Sequence, residues 1–106
     1  MAGRVVWRRL AEEDLREAYL FLGTDSPAAA ERPLDALGEA VQVLLESPDA
    51  GRLRDHRSPR ARDVRSWAVR GFRGYLVFYR CAGEDLEIVR LLHGARDLPR
   101  LLDEDP

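Results

Sequence analysis

The stretch Trp67–Asp97, WAVRGFRGYLVFYRCAGEDLEIVRLLHGARD, decides how the rest of the chain is read. Tyr75–Tyr79 is aromatic and branched, the composition of a buried or half-buried strand, and Leu86–Leu92 is its partner. Between them Gly83-Glu84 suits a two-residue hairpin turn, because glycine accepts the positive φ that such turns require. That turn places Arg80 opposite Glu87 and Phe78 opposite Val89, one ion pair and one apolar pair on the ladder. Both faces of both strands carry apolar residues, so the hairpin is expected at the centre of a sheet, covered on at least one side.

Working outward, Arg4–Trp7 is β-prone and reads as an opening strand. Glu12-Glu13-Asp14 then supplies acid to the first turn of a helix, near the positive end of its dipole. Leu15, Ala18, Tyr19 and Leu22 recur at helical spacing, which predicts a helix over about 11–22. Ser26 and Pro27 are suited to start a second helix. Its stripe of Ala30, Leu34, Leu37, Val41 and Leu44 runs to Ser47-Pro48. Pro33 interrupts that pattern at a cost of about 3 kcal/mol, so a kink or a late start is expected. Residues 48–63 hold two prolines, a glycine and no apolar period, and read as a loop. Val64–Val69 reads as a strand, and residues 95–102 as a short helix or turn before a frayed acidic tail at about 103–106. The order β-α-α-β-β-β, with a short C-terminal helix, predicts an α+β fold. An N-terminal strand and an antiparallel helical hairpin would pack with an antiparallel sheet in a single domain spanning 1–106.

Composition narrows the function classes. No apolar run approaches the ~20 residues of a membrane span, and the N-terminus lacks a signal-peptide core, so a cytoplasmic protein is expected. With one cysteine, Cys81, an internal disulfide is impossible, and no metal-ligand spacing or cofactor motif is present. All 17 basic residues are arginine, which removes lysine-dependent chemistry. The net charge of −2 conceals an asymmetry: residues 1–50 carry −5, residues 51–100 carry +6. Eight arginines against two aspartates fall between Arg52 and Arg73. Such a segment suits an anionic partner, either nucleic acid or an acidic peptide, and equally a solvated basic face.

His93, Arg96 and Asp97 are the most suggestive polar group. A histidine beside an arginine can move protons at a phosphodiester; the same residues can also cap a strand end and pair with one another. Tyr75 and Tyr79 among Arg65, Arg70, Arg73, Arg80 and Arg90 could stack bases, or could fill a core.

The ordered combination of Val69-Arg-Gly-Phe72, Tyr75–Arg80 and Ile88–Leu98 resembles the ParE/RelE superfamily of type II toxins. The closing His93-Gly-Ala-Arg-Asp-Leu98 is similar to the ParE branch, which includes plasmid-stabilisation proteins. Leu22–Pro27 and Leu34–Leu37 are similar to that branch's helical hairpin. The resemblance implies a gyrase-inhibiting toxin neutralised by a cognate antitoxin. An amphipathic helix and an extended segment of the antitoxin would cover the hairpin and sheet. Its acidic residues would meet Arg52, Arg54, Arg57, Arg60, Arg65, Arg70 and Arg73, with Arg80 and Arg96 as further contacts to antitoxin or target. The RelE branch implies a rival, a ribosome-dependent mRNA endoribonuclease built on His93, Arg90 and Arg96. A third reading is an inactive member that only binds antitoxin. RelE-type ribonucleases use lysines, arginines and a C-terminal tyrosine or histidine. Here Leu76 stands where their central-strand arginine falls, no lysine exists, and no tyrosine follows Tyr79. Arginine is a poor base, which leaves His93 as the one proton acceptor of that group.

Overall fold

A five-stranded sheet, in the order β1-β5-β4-β3-β2, carries the two long helices against one of its faces. In chain order the elements are β1 (Val5–Trp7), α1 (Arg9–Leu22), α2 (Ala28–Glu46), β2 (Arg52–Leu53), β3 (Arg65–Ala68), β4 (Tyr75–Ala82) and β5 (Asp85–His93). The computed structural model describes residues 3–22, 28–53, 62–72 and 74–94. The capping pair Ser26-Pro27, most of the arginine loop and the C-terminal segment with its predicted short helix lie outside these residues.

The central hairpin forms around Gly83-Glu84, with Ala82 opposite Asp85 and Arg80 opposite Glu87, as the sequence predicts. Gly83 takes φ +63° while Glu84 stays at negative φ, the pattern of a type II′ turn. Phe78, however, lies opposite Arg90 rather than Val89: the register slips by one between Phe78 and Tyr79, and Val89 becomes the extra residue of a β-bulge. The bulge resets the alternation of β5. Leu86, Ile88 and then Leu91 join the core beneath the helices, while Val89 and Leu92 join Val64 and Phe78 on the opposite side. Strict alternation would have sent Arg90, not Leu91, into the main core.

The sheet is mixed, which corrects the expectation of an antiparallel one. β1 runs parallel to β5, Val5 beside Leu86 and Trp7 beside Ile88. The helical hairpin forms the crossover that a parallel neighbour requires. The short strand β2 was hidden in the predicted loop. It holds only two residues, both exposed, so it carries no apolar signal.

α1 meets the sheet through Ala11, Asp14 and Ala18, spaced three and four apart. Small side chains let the helix approach closely. Tyr19, predicted on the buried stripe, is exposed, because the apolar residues at 18–22 outnumber the positions on one helical face. α2 packs through Ala36, Leu37, Ala40 and Leu44. It begins directly after Pro27 and continues past Pro33 to Glu46, so the expected late start does not occur. Pro33 lies in the second turn, where its missing N–H removes one hydrogen bond, to the carbonyl of Ala29. Burial of the leucine stripe outweighs that loss.

Candidate functional site

Three features of the described residues bear on function: a buried ion pair, an acidic cleft beside His93, and a groove between α2 and β3. The first explains where Arg90 goes. Beyond Ile88, β5 has no described strand on its outer side, because β1 has ended and the chain has turned into α1. Asp14 occupies that edge. Its Oδ2 accepts hydrogen bonds from Arg90 Nε (2.7 Å) and from the Leu91 backbone N–H (3.0 Å), and its Oδ1 accepts from Arg90 Nη2 (2.9 Å). The two side chains are 6% and 4% exposed. This is a bidentate, charge-assisted pair that also satisfies an otherwise bare strand N–H. Arg90 was a candidate ribonuclease residue; it serves here to tie α1 to the sheet.

His93 ends β5 beside Tyr75, ring edge to ring face, with centroids 5.5 Å apart. Gly74 presses against the imidazole from the turn before β4. A Cβ on Gly74 would stand 3.0 Å from the ring's Cε1, and φ there is +72°, so only glycine suits the position. His93, Tyr75 and Leu91 form one wall of an open cleft, and Asp14, Glu17 and Phe21 of α1 form the other. Arg96 and Asp97, the predicted companions of His93, lie outside the described residues. The described lining is acidic, with Asp14 already neutralised by Arg90, and it offers a phosphodiester no positive charge.

The groove is larger, about 490 Å³, and mainly apolar. Ala36, Ala40 and Val43 of α2 face Trp67, Ala68 and Val69 of β3 across it, with Glu39 and Arg70 as charged members. Val43 is 42% exposed, an uncommon state for valine on the face of a helix that also packs a core. β2 pairs only with Arg65 and Ser66, so Trp67 and Ala68, paired with β4 on one side, have no described strand on the other.

The predicted binding arginines divide by environment. Arg52 and Arg70 are exposed. Arg65 is engaged: its Nη1 donates to the carbonyls of Gly51 (2.9 Å) and Asp49 (3.3 Å). Arg80 bridges Glu87 (3.1 Å) and Asp63 (3.7 Å), so it braces the sheet. Arg54, Arg57, Arg60, Arg73 and Arg96 are outside the described residues. Tyr79, read as a core or base-stacking residue, is buried and staples the segment after α2. Its hydroxyl donates to the Pro48 carbonyl (2.7 Å) and accepts from the Gly51 N–H (2.8 Å). Tyr75 contributes a ring to the cleft and packs against Phe72 at 4.5 Å.

Burial pushes the Tyr79 phenol above its ordinary value of 10.0, and the Gly51 N–H offsets part of that rise. A raised folded-state pKa means that the unfolded chain loses its proton first as pH rises. The stabilisation is therefore complete below pH 10.0 and fades as pH climbs through the folded pKa. Tyr79→Phe is expected to cost about 1–3 kcal/mol at neutral pH, by leaving the buried Gly51 N–H and the part-buried Pro48 carbonyl unpaired. The variant should also lose the alkaline part of the stability profile. Urea denaturation between pH 8 and 11 checks this, and the absence of lysine keeps that window unusually clear of other titrations.

Sequence reasoning missed Asp14 as a structural centre and missed the groove entirely. One signal for Asp14 was present: an acid at helical spacing between Ala11 and Ala18, in a chain whose most apolar strand carries a lone central arginine. The groove had no local signal, since its two walls are about 30 residues apart in sequence.

Residues 5–98 match the family described as "ParE toxin of type II toxin-antitoxin system, parDE". The chain is similar to "Putative toxin Y4kP" of Sinorhizobium fredii (strain NBRC 101917 / NGR234), 29% identical over 99 residues, covering 93% of this chain and 96% of that protein. Its fold is similar to a chain of the solved "Chromosomal ParDE TA system from P. aeruginosa", with a TM-score of 0.68 and 23% identity, covering 88% of this chain and 96% of that one. The family match spans nearly the whole described fold, from β1 through β5, and the chain belongs to the ParE toxin family of type II toxin–antitoxin systems.

Proposed function

We propose that this toxin acts in the cytoplasm by binding DNA gyrase and inhibiting it, without cleaving RNA, and that a cognate antitoxin neutralises it. The observation that carries the non-enzymatic part is the Asp14–Arg90 pair. A ribonuclease centre on His93, Arg90 and Arg96 would need Arg90 to stabilise phosphorane charge, and its guanidinium is buried against a carboxylate. The described surroundings of His93 add acid, which raises the cost of bringing a phosphate there. What remains is a protein-binding surface.

The groove between α2 and β3 suits the antitoxin. An amphipathic helix can seat its apolar face against Ala36, Ala40, Val43 and Trp67, and the open flank of Trp67–Ala68 can accept an extended segment. Acidic antitoxin residues would meet Arg70 and Arg52, with the arginines between them in sequence supplying long-range attraction. That field raises the encounter rate more than the final affinity.

Parallel assays of the purified protein test this reading. Loss of gyrase supercoiling with intact mRNA on ribosomes is the expected result. Cleaved mRNA with unaffected supercoiling would support the ribonuclease alternative, and no effect in either assay would support a member that only binds antitoxin.

A further inference from the structure

The cleft between α1 and the β4–β5 hairpin has a chemistry opposite to that of the basic segment. We infer that it is an arginine-binding site, which receives a guanidinium side chain from an apolar–basic segment of a protein partner. Glu17 supplies the charge. It is exposed, lines the cleft and makes no ion pair with any described residue, whereas its neighbours Glu13 and Asp14 are paired with Arg9 and Arg90. The rings supply the rest. Tyr75 is held between Phe72 and His93, so its position is set before any ligand arrives. Phe21, on the facing wall, is 74% exposed, a large apolar ring left in water at the cleft mouth.

A carboxylate that lines one cleft with aromatic rings fits a planar cation. Aromatic faces carry negative potential, and guanidinium stacks on them while its N–H fork meets a carboxylate in two parallel hydrogen bonds. An ammonium group could use the charge but not the fork. A phosphate or an acidic peptide would meet Glu17 with like charge. The segment that brings the arginine must also be apolar, because Phe21 lines the cleft and leaves a large ring exposed for residues beside the arginine to rest on. The site is separate from the α2–β3 groove and shares no lining residue with it.

The test is an amide-resolved NMR titration of the full chain. The probe is an acetylated, amidated Leu-Arg-Leu tripeptide, compared with Leu-citrulline-Leu, which keeps the shape but not the charge. Expected are saturable shifts at Phe21, Tyr75 and His93, with the arginine peptide at least tenfold tighter than the citrulline one. Glu17→Gln, an exposed helical change that leaves the core untouched, should abolish that preference. Equal binding of the two peptides, unsaturable shifts, or a preference that survives Glu17→Gln would overturn the inference. Equal affinity for N-acetyl-arginine amide alone would overturn the protein-segment occupant. Neither gyrase nor antitoxin takes part, so this result stands or falls independently of the proposed function.

Discussion

Replacing Asp14 by alanine is expected to cost the fold about 3–5 kcal/mol, the range for breaking a buried ion pair from one side. The loss has two parts. The Arg90 guanidinium stays buried without its counter-charge, and the Leu91 N–H loses its acceptor. Small domains have a total stability of about 5–15 kcal/mol, so Asp14→Ala should leave a measurable unfolded fraction at 37 °C. Asp14→Asn should fall between, since it keeps one acceptor and loses the charge. Two controls separate this from a general helix effect. Arg9→Ala, which breaks the exposed i,i+4 pair with Glu13, should cost no more than about 0.5 kcal/mol. Asp14→Leu combined with Arg90→Met should recover most of the loss, because removing both charges avoids stranding either. Urea melts of the parent and the four variants decide the matter; an Asp14→Ala midpoint equal to that of Arg9→Ala would rule out the central role given to this pair.

The second large effect concerns the groove. Val43→Arg should weaken the complex with the cognate antitoxin at least 100-fold, about 2.7 kcal/mol by the relation between free energy and dissociation constant. It places a charged, branched head where an apolar helix face is expected to sit, so the loss combines lost burial with a desolvated charge. Val43 is already 42% exposed, so the isolated toxin should melt within about 0.5 kcal/mol of the parent. Leu53→Ser is the matched control: it removes an exposed apolar residue on β2, outside the groove lining. Calorimetric titration of all three proteins with antitoxin gives the affinities, and rescue of growth by co-expressed antitoxin gives the cellular counterpart. Unchanged affinity for Val43→Arg would move the antitoxin to another face.

How much of this was legible beforehand depends on the range over which each feature is encoded. The hairpin turn, the Arg80–Glu87 pairing and the alternation of Tyr75–Tyr79 depend on residues within about ten positions of one another, and the structure follows them. The bulge at Val89 was not legible. The run Leu86–Leu92 is apolar at nearly every position, so no alternation marks where an extra residue enters. What selects the bulge is that Leu91 enters the core and Arg90 reaches Asp14, and Asp14 is 76 residues away in sequence. The start of α2 before Pro33 has the same character: local propensity argued against it, and packing of Leu37, Ala40 and Leu44 prevailed.

The candidate sites divide along the same line. Arg80 was correctly paired with Glu87, yet its further bond to Asp63 makes it a brace. Arg65 stood among the binding arginines until the Pro48–Gly51 segment folded back over it. Taken alone, the sequence determined the types of the longer elements, the hairpin at the centre, the kinship with ParE toxins and the separation of charge between the two halves. The kinship rests on the resemblance of its ordered motifs to that family; the others are carried by short-range periodicity, turn chemistry or composition. Only the tertiary structure decided which charges are neutralised and which surfaces stay open. Arg90 and Asp14 cancel while Glu17 does not, and Val43 and Trp67 face each other across a groove. The reason is physical: Coulomb energy and burial depend on distance in space and on solvent access, and neither is written into the spacing of residues along a chain.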